Sequence, residues 1–433
     1  MAKILVIGAG PAGCTAAYRL QQRGHIVQVL EAATVPGGRT YTLEKDGFLI
    51  DTAAIFTMST YHRTWALLRE LALESRLQPW HAHTQLVEGD RRFSLRYDQP
   101  LSNLLLPCVS LADKFKIIKA GIAALLEPSL NAFNGDDLAS IDNGENLEDW
   151  ARCTLGNTAY EYVVKPNHDM LYALPPCLLS PAFQRATMQA AWGFSLAVPS
   201  SGMGTLCRAL SEQLDLYVNH PVTQIEYRRH QGVSVHCAGQ NADFQGDALI
   251  VATDAHSAAT LLQGQVDDSL IDTLSQTPYI EYAQTTMTYT QDPWPDETNS
   301  MLVPVGKNFH PVNALVLHSK RNPASVPKGA QSLGFYYNSQ ALTGSSDAEL
   351  IDLARRYRDR LLGAVAVAPD FEQVFRYKRG LTVPAPGHYR NMTTVSSRLP
   401  PRLALAGDYF AHAGIEAAVI AGERAANEVA KCF

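Results

Sequence analysis

Lys3-Ile4-Leu5-Val6-Ile7 runs straight into Gly8-Ala9-Gly10-Pro11-Ala12-Gly13, and the fold turns on how these eleven residues are read. The apolar run predicts a fully buried strand. Cys14 to Arg23 then has helix-forming composition, and His25 to Leu30 is a second apolar segment closed by Glu31. The unit is strand, glycine turn, helix, strand, acid. Gly8 permits the tight turn, Gly10 lets the backbone approach a pyrophosphate, and Gly13 lets the helix pack closely on the sheet. The amides of the first turn, headed by Pro11 and Ala12, point at that anion with the helix dipole behind them. Glu31, with Ala32 next to it, accepts hydrogen bonds from a ribose diol, and its charge repels a 2′-phosphate. A glycine turn by itself is only punctuation. Joined to strand, helix and acid it predicts dinucleotide binding.

A chain of 433 residues exceeds what one small core needs, which leaves room for a second domain. Apolar residues at 46% against 18% charged place it among globular proteins, not disordered ones. The formal net charge of −6 argues against general nucleic-acid binding, which needs a basic surface. Met1 to Ile7 enters a strand at once, without a charged leader or small-residue cleavage site, so no signal peptide is expected. No stretch approaches the roughly 18 apolar residues of a membrane-spanning helix. The seven cysteines form no CxxC pair, which suits buried thiols in a reducing compartment, the cytoplasm by default.

The opening unit does not choose between NAD and FAD; the residues after it do. Pro36-Gly37-Gly38-Arg39-Thr40 follows Glu31, and then comes Asp46-Gly47-Phe48-Leu49-Ile50-Asp51. Taken alone, Gly37-Gly38 also fits an ordinary hairpin turn. With Arg39 and Glu31 beside it, the sequence resembles the flavin amine oxidase superfamily, which includes monoamine oxidases, protoporphyrinogen oxidases and phytoene desaturases. The resemblance implies an α/β fold. Its FAD-binding, Rossmann-like domain of glutathione-reductase type is built from discontinuous segments and joined to an α+β substrate-binding domain. It also implies that the turn of Gly37, Gly38, Arg39 and Thr40 lies against the flavin and its pyrophosphate. One departure is visible: the family usually has Asp-x-Gly-Ala where this chain reads Asp51-Thr52-Ala53-Ala54, so Ala53 adds a methyl near the ring edge.

Two later stretches fit the same plan. Leu216 to Ala252 reads as strands separated by turn residues, and the resemblance implies that the backbone at Val222 meets the adenine. Upstream, Gly202-Met203-Gly204-Thr205-Leu206 opens a helix. Arg402 to Asp408 reads as a buried strand ending in Gly407-Asp408, and Gly414-Ile415-Glu416-Ala417-Ala418 starts a helix running to about Ala430. The resemblance implies that Gly407 and Asp408 touch the ribityl or phosphate portion. It further implies that Ile415, Glu416, Ala417 and Ala418 present the helix amides to the pyrimidine side of the flavin, stabilising the negative charge of the reduced ring. The plainer alternative is a terminal helix that only closes the sheet. Ala417 stands where a glycine is common. No second GxGxxG is present, so no stable NAD(P)H site is expected. Residues 1–80, 200–268 and 376–433 are assigned to the FAD-binding domain, and 81–199 and 269–375 to the substrate-binding domain, with substrate between the lobes.

Inside the insertions, Ser110 to Glu127 reads as an amphipathic helix with Leu111, Phe115, Ile118, Ile122 and Leu125 on one face. Core packing is the expectation for that face. A membrane-surface or substrate-entry role is the alternative, since Lys114, Lys116 and Lys119 flank the stripe. Lys165 to Ser180, through Pro166, Tyr172-Ala173 and Leu179-Ser180, looks like a stretch of protoporphyrinogen oxidases and related desaturases. His168 and Asp169 within it read as a surface pair, or as a polar pair at the pocket.

Against amine oxidases the chain departs twice more: Gln284 stands where they carry a lysine near flavin N5, and one tyrosine of the monoamine oxidase cage falls at Gly414. No cysteine lies near Gly380 to Gly387, where a covalent link would be sought, so FAD is expected to be non-covalent. Gln284, His388 and His412 are the catalytic candidates, with plain local hydrogen bonding as the competing role. His81-Ala82-His83 lacks further ligands, so no metal is expected; Ser200-Ser201 lacks a nucleophile elbow. The expected chemistry is a two-electron oxidation of a hydrophobic small molecule. Hydride leaves a carbon next to nitrogen, or an allylic carbon, for flavin N5, and oxygen or another acceptor takes the electrons on. A redox-neutral flavin isomerase of a lipid or polyene is one alternative; a non-catalytic binding or escort protein of the same fold is the other. Oligomeric state is not legible.

Overall fold

Lys3–Ile7 is the central strand of a five-stranded parallel sheet. The strand order is Asp215–Tyr217, Ile26–Leu30, Lys3–Ile7, Ala248–Val251, Leu403–Leu405. Three stretches far apart in sequence thus complete one sheet. Parallel strands are buried on both faces because helices or further sheets cover each side. Ile4 and Val6 join the core that holds Leu20 of the first helix, Pro11–Gln21, and Val419 of the last, Ile415–Ala430. Leu5 and Ile7 face the other way, into a core shared with Ala258 and Leu262 of the helix Ala255–Leu262. The structure is a computed structural model that describes residues 1–433 apart from 97–98, 100–101, 172, 191–193, 229–230, 240–242 and 307.

A seven-stranded sheet stands against this unit. Its order is Phe371–Thr382, Tyr279–Tyr289, Gln331–Tyr337, Val312–Leu317, Met301–Pro304, His83–Glu88, Arg91–Arg96. The pairs are antiparallel except Met301–Pro304 with His83–Glu88. Strands from both insertions therefore share one sheet, and the expected boundary at 376 falls inside the strand Phe371–Thr382. Helices between residues 111 and 190 complete that half.

The two halves are joined by a buried ion pair. Asp51 closes the strand Phe48–Asp51, and its Oδ2 lies 2.6 Å from Nη2 of Arg321. Both side chains are at most 1% exposed, and Asp51 Oδ1 also accepts from Thr42 Oγ1 at 2.6 Å and from the Met203 amide at 2.8 Å.

The helix Leu111–Leu126 forms as the sequence predicts, with the Ser110 side chain accepting from the Asp113 amide at its start. Its orientation corrects the core-packing expectation. Leu111 is 74% exposed, Phe115 73% and Ile122 54%, while the inward face consists of Asp113, Gly121 and Ala124. Asp113 accepts from the amide and hydroxyl of Thr158, at 2.9 and 2.6 Å, and this polar anchor draws the small-residue face inward. Among the described residues no helix is long and apolar enough to cross a membrane.

Candidate active site

A cleft of about 770 Å³ opens at the carboxyl ends of the parallel strands, where the chain crosses from Lys3–Ile7 to Ala248–Val251. In open α/β sheets this reversal point is where ligands sit. Gly8, Gly10, Pro11 and Ala12 line it. A Cβ placed on Gly10 would meet no protein atom within 4 Å, whereas one on Gly13 would lie 1.9 Å from the Gly8 carbonyl oxygen. Gly10 therefore faces the open cleft, and Gly13 stands behind the wall and acts through packing. No side chain caps the helix that follows, so its first amides remain for an anion. Glu31 is fixed in the wall by the amides of Ala9 and Ala33, at 2.7 and 2.8 Å, with Ala32 beside it. His220, Pro221 and Val222 complete that end.

Farther along, Gly38, Arg39 and Thr40 line the cleft, while Gly37 lies behind and donates its amide to the Ala9 carbonyl at 2.9 Å. Arg39 donates to the Gly380 carbonyl and to Asp408 Oδ1, both at 2.8 Å, so one guanidinium joins three segments. Burial works against its charge, but the adjacent Asp408 outweighs that and raises its pKa. Gly407 and Asp408 line the cleft as well.

At the last helix the outcome is divided. Gly414 leaves its start without a side-chain cap, and Ile415 and Ala418 line the cleft. Glu416 and Ala417 turn their side chains away, since positions 415 and 418 share a face at 3.6 residues per turn, while their amides stay at the uncapped helix start. Glu416 instead accepts from the amides of Arg63 and Thr64, each at 2.8 Å, and from Thr64 Oγ1 at 2.7 Å. It thereby caps the helix His62–Glu70 from outside. Burial raises its pKa, and those three hydrogen bonds resist the rise. An open glycine face, two uncapped helix starts and an acid at the far end fit a dinucleotide.

The three catalytic candidates do not line the cleft, and each is corrected to a structural part. Gln284 is fully buried in the strand Tyr279–Tyr289 and donates to the Asp51 carbonyl and Thr286 Oγ1, both at 3.0 Å. His388 Nε2 lies 2.8 Å from the Tyr409 carbonyl, and burial lowers its pKa to about 4. His412 stacks on Phe183 with ring centroids 3.6 Å apart, and burial drives its pKa well below the ordinary value. His168 and Asp169 are also buried, not a surface pair; Asp169 pairs with Lys165 at 2.6 Å. Tyr172 lies outside the described residues.

What the sequence did not reveal is a group of tyrosines. Tyr282, Tyr336 and Tyr377 come from three adjacent strands of the seven-stranded sheet and line the cleft, joined by Tyr61, Phe56 and Met170. The Tyr282 ring centroid is 6.4 Å from those of both Tyr336 and Tyr377. Tyr282 donates to the Ala53 carbonyl at 3.0 Å, and the Tyr377 hydroxyl meets Thr52 Oγ1 at 2.7 Å. The Tyr336 hydroxyl is buried without a protein partner. Burial raises the pKa of all three, so they remain neutral phenols. The carboxylates of the cleft, Glu31, Asp254 and Asp408, belong to the nucleotide end, and Asp254 is paired with Arg379 at 2.8 Å. Among the described residues none lines the tyrosine end.

The family model for flavin-containing amine oxidoreductases matches residues 11–430. The chain belongs to that family. It is an FAD protein of the oxidoreductase class, and the α/β architecture with a Rossmann-like FAD domain stands as expected. A putative protoporphyrinogen oxidase from Exiguobacterium sp. 255-15 shares the fold with a TM-score of 0.78 at 16% identity, over 99% of this chain and 98% of that one. Cyclohexylamine oxidase from Brevibacterium oxydans IH-35A does so with a TM-score of 0.77 at 17% identity, over 99% of each. A ferredoxin–NADP reductase of Lactococcus lactis subsp. lactis is 26% identical over 161 residues, 34% of this chain and 50% of the reductase. The chain thus spans about half the length of that curated relative.

Proposed function

We propose that the chain is an FAD-dependent oxidase or dehydrogenase that oxidises a hydrophobic or cyclic small molecule at a carbon next to nitrogen or at an allylic carbon. The observation that carries this reading is the continuity of the cleft, from Glu31, past the Arg39–Asp408 pair, to a wall of tyrosines. Bound FAD supplies a two-electron acceptor. No cysteine lines the cleft among the described residues, which supports non-covalent binding.

The chain's own residues bind, orient and keep water out. Glu31 and the glycine turn hold the ribose and pyrophosphate, and the uncapped start of the last helix offers amides where negative charge develops. The tyrosine wall favours an apolar body, and a carboxylate to hold a second ammonium group is missing from the described lining. Of the three sheet tyrosines, Tyr282 and Tyr377 have their hydroxyls committed and that of Tyr336 is buried away from the cleft, so the wall offers the substrate ring surface. Among the described residues that end also lacks a general base, so an amine substrate reacts only after losing its proton in solution. With such a substrate, kcat/KM is expected to rise with pH and level off at the pKa of the free amine. A plateau well below that pKa would reveal an enzymic base and refute this part of the reading. All seven cysteines are free thiols, which supports cytoplasmic residence.

The decisive experiment is anaerobic incubation of the purified yellow protein with candidate amines and polyenes, followed by mass analysis. A bleached flavin with a product lighter by two hydrogens supports oxidation, and oxygen readmission then tests the acceptor. Turnover without mass change makes the chain an isomerase. Protein that stays colourless after FAD is added belongs to the binding class.

A further inference from the structure

The outward stripe of the helix Leu111–Leu126 has no part in the cleft. Leu111, Phe115, Ile118, Ile122, Leu125 and Leu126 are all exposed, and Leu105 of the short helix before it is 79% exposed. Scattered single apolar residues on a surface are ordinary; six on one face of one helix are not. At 3.6 residues per turn these six fall within about a third of the circumference, with Lys114 on one flank and Lys119 and Lys116 on the other. Within the helix the single acid is Asp113, turned inward to Thr158, with Lys116 4.0 Å away. A chain of net charge −6 thus shows one face that is apolar at its centre and positive along both edges.

We propose that this helix lies in the interface of a membrane carrying anionic lipid, with the apolar stripe in the acyl boundary and the three lysines at the headgroups. An apolar stripe edged by lysines has this chemistry. The edge charges also select among occupants. A symmetric contact with a second copy's helix offers these lysines one exposed acid, Glu127 at the helix end, already paired with Arg185 at 3.3 Å, whereas phosphate headgroups pair them all. The proposal does not depend on the reaction assigned above.

Flotation of the flavin-loaded protein with phosphatidylcholine vesicles, with and without phosphatidylglycerol, tests it. The protein is expected to float with the anionic vesicles and to be released by salt. Each lysine at an anionic surface contributes a factor of about five, so Lys114→Gln/Lys116→Gln/Lys119→Gln together are expected to weaken binding about a hundredfold. Phe115→Glu/Ile122→Glu is expected to abolish it. Both sites are exposed, so each variant is expected to keep its flavin spectrum and thermal transition. Failure to float, or flotation unchanged in both variants, overturns the proposal. So does a stable dimer in sedimentation without lipid that Phe115→Glu/Ile122→Glu dissociates, because the face is then an interface between copies.

Discussion

Single atoms separate the roles of the glycines in the opening turn. A methyl on Gly13 runs into the backbone oxygen of Gly8, whereas a methyl on Gly10 runs into no protein atom. Gly13→Ala is therefore expected to lower the stability of flavin-free protein by about 1–3 kcal/mol, as overpacking does. Gly10→Ala is expected to leave that stability nearly unchanged and to weaken FAD binding by about tenfold or more, at about 1.4 kcal/mol per decade. Chemical unfolding of the stripped protein and flavin titration distinguish the two; equal effects in both measurements would contradict the geometry. Asp51 is a different case, because the carboxylate that the family motif supplies is spent on Arg321 and not on the cofactor. Asp51→Asn leaves a buried guanidinium without its counter-charge, and a loss of about 3–5 kcal/mol is expected in the same unfolding measurement. A loss below 1 kcal/mol would mean that the pair is hydrated.

The elements show where sequence reading succeeds and where it stops. Strand, turn, helix and acid lie within thirty-one residues, so local spacing specifies them, and Glu31, Arg39 and Asp408 are found in the cleft. The same holds for the strand Leu403–Leu405 and the helix after it, where a terminal glycine marks the join. The capping role of the Glu416 side chain toward Arg63 and Thr64 was not legible, because a motif gives a position along a helix but not its rotation about the axis. The outward face of Leu111–Leu126 was misread for a related reason: periodicity reveals a stripe without saying which side it faces, and Asp113 decided that through Thr158. The tyrosine wall was invisible because Tyr282, Tyr336 and Tyr377 meet only through strand register, with Tyr282 opposite Tyr377 and Tyr336 opposite Gln284. That convergence makes the Tyr336 hydroxyl testable. Tyr336→Phe removes a buried hydroxyl that has no protein partner and is expected to leave stability unchanged or to raise it by up to about 1 kcal/mol. KM and flavin content are expected to stay constant; a raised KM would show that the hydroxyl reaches the substrate.

For the molecule as a whole, the buried histidines set the acid limit. His168 and His388 are lowered by burial from 6.5 to about 4, and His412 is driven well below 6.5. Their native forms refuse protons that the unfolded chain accepts. Stability is thus intact above the unfolded value of 6.5, falls as pH drops toward about 4, and levels off once the native rings are protonated. Each ring contributes at most about 1.4 kcal/mol per pH unit in that window. Glu416 and Asp169, whose pKa values burial raises, act in the opposite sense and soften the slope near its lower end. Unfolding midpoints are expected to decline through this window, and His388→Gln is expected to flatten the decline. A stability flat from neutrality to about pH 4 would exclude neutral burial of these rings.

The order in which the parallel sheet is assembled has one more consequence. Its outermost strand, Leu403–Leu405, the Asp408 carboxylate and the helix Ile415–Ala430 all come from the last thirty-one positions, yet they wall a chamber whose opposite side is made by the first forty. A chain that carries only the early segments has nothing to close that chamber, so the vitamin-derived nucleotide is captured only once both segments are present. A chain stopped before Leu403 lacks that strand, that carboxylate and that helix, and is expected to be a colourless product.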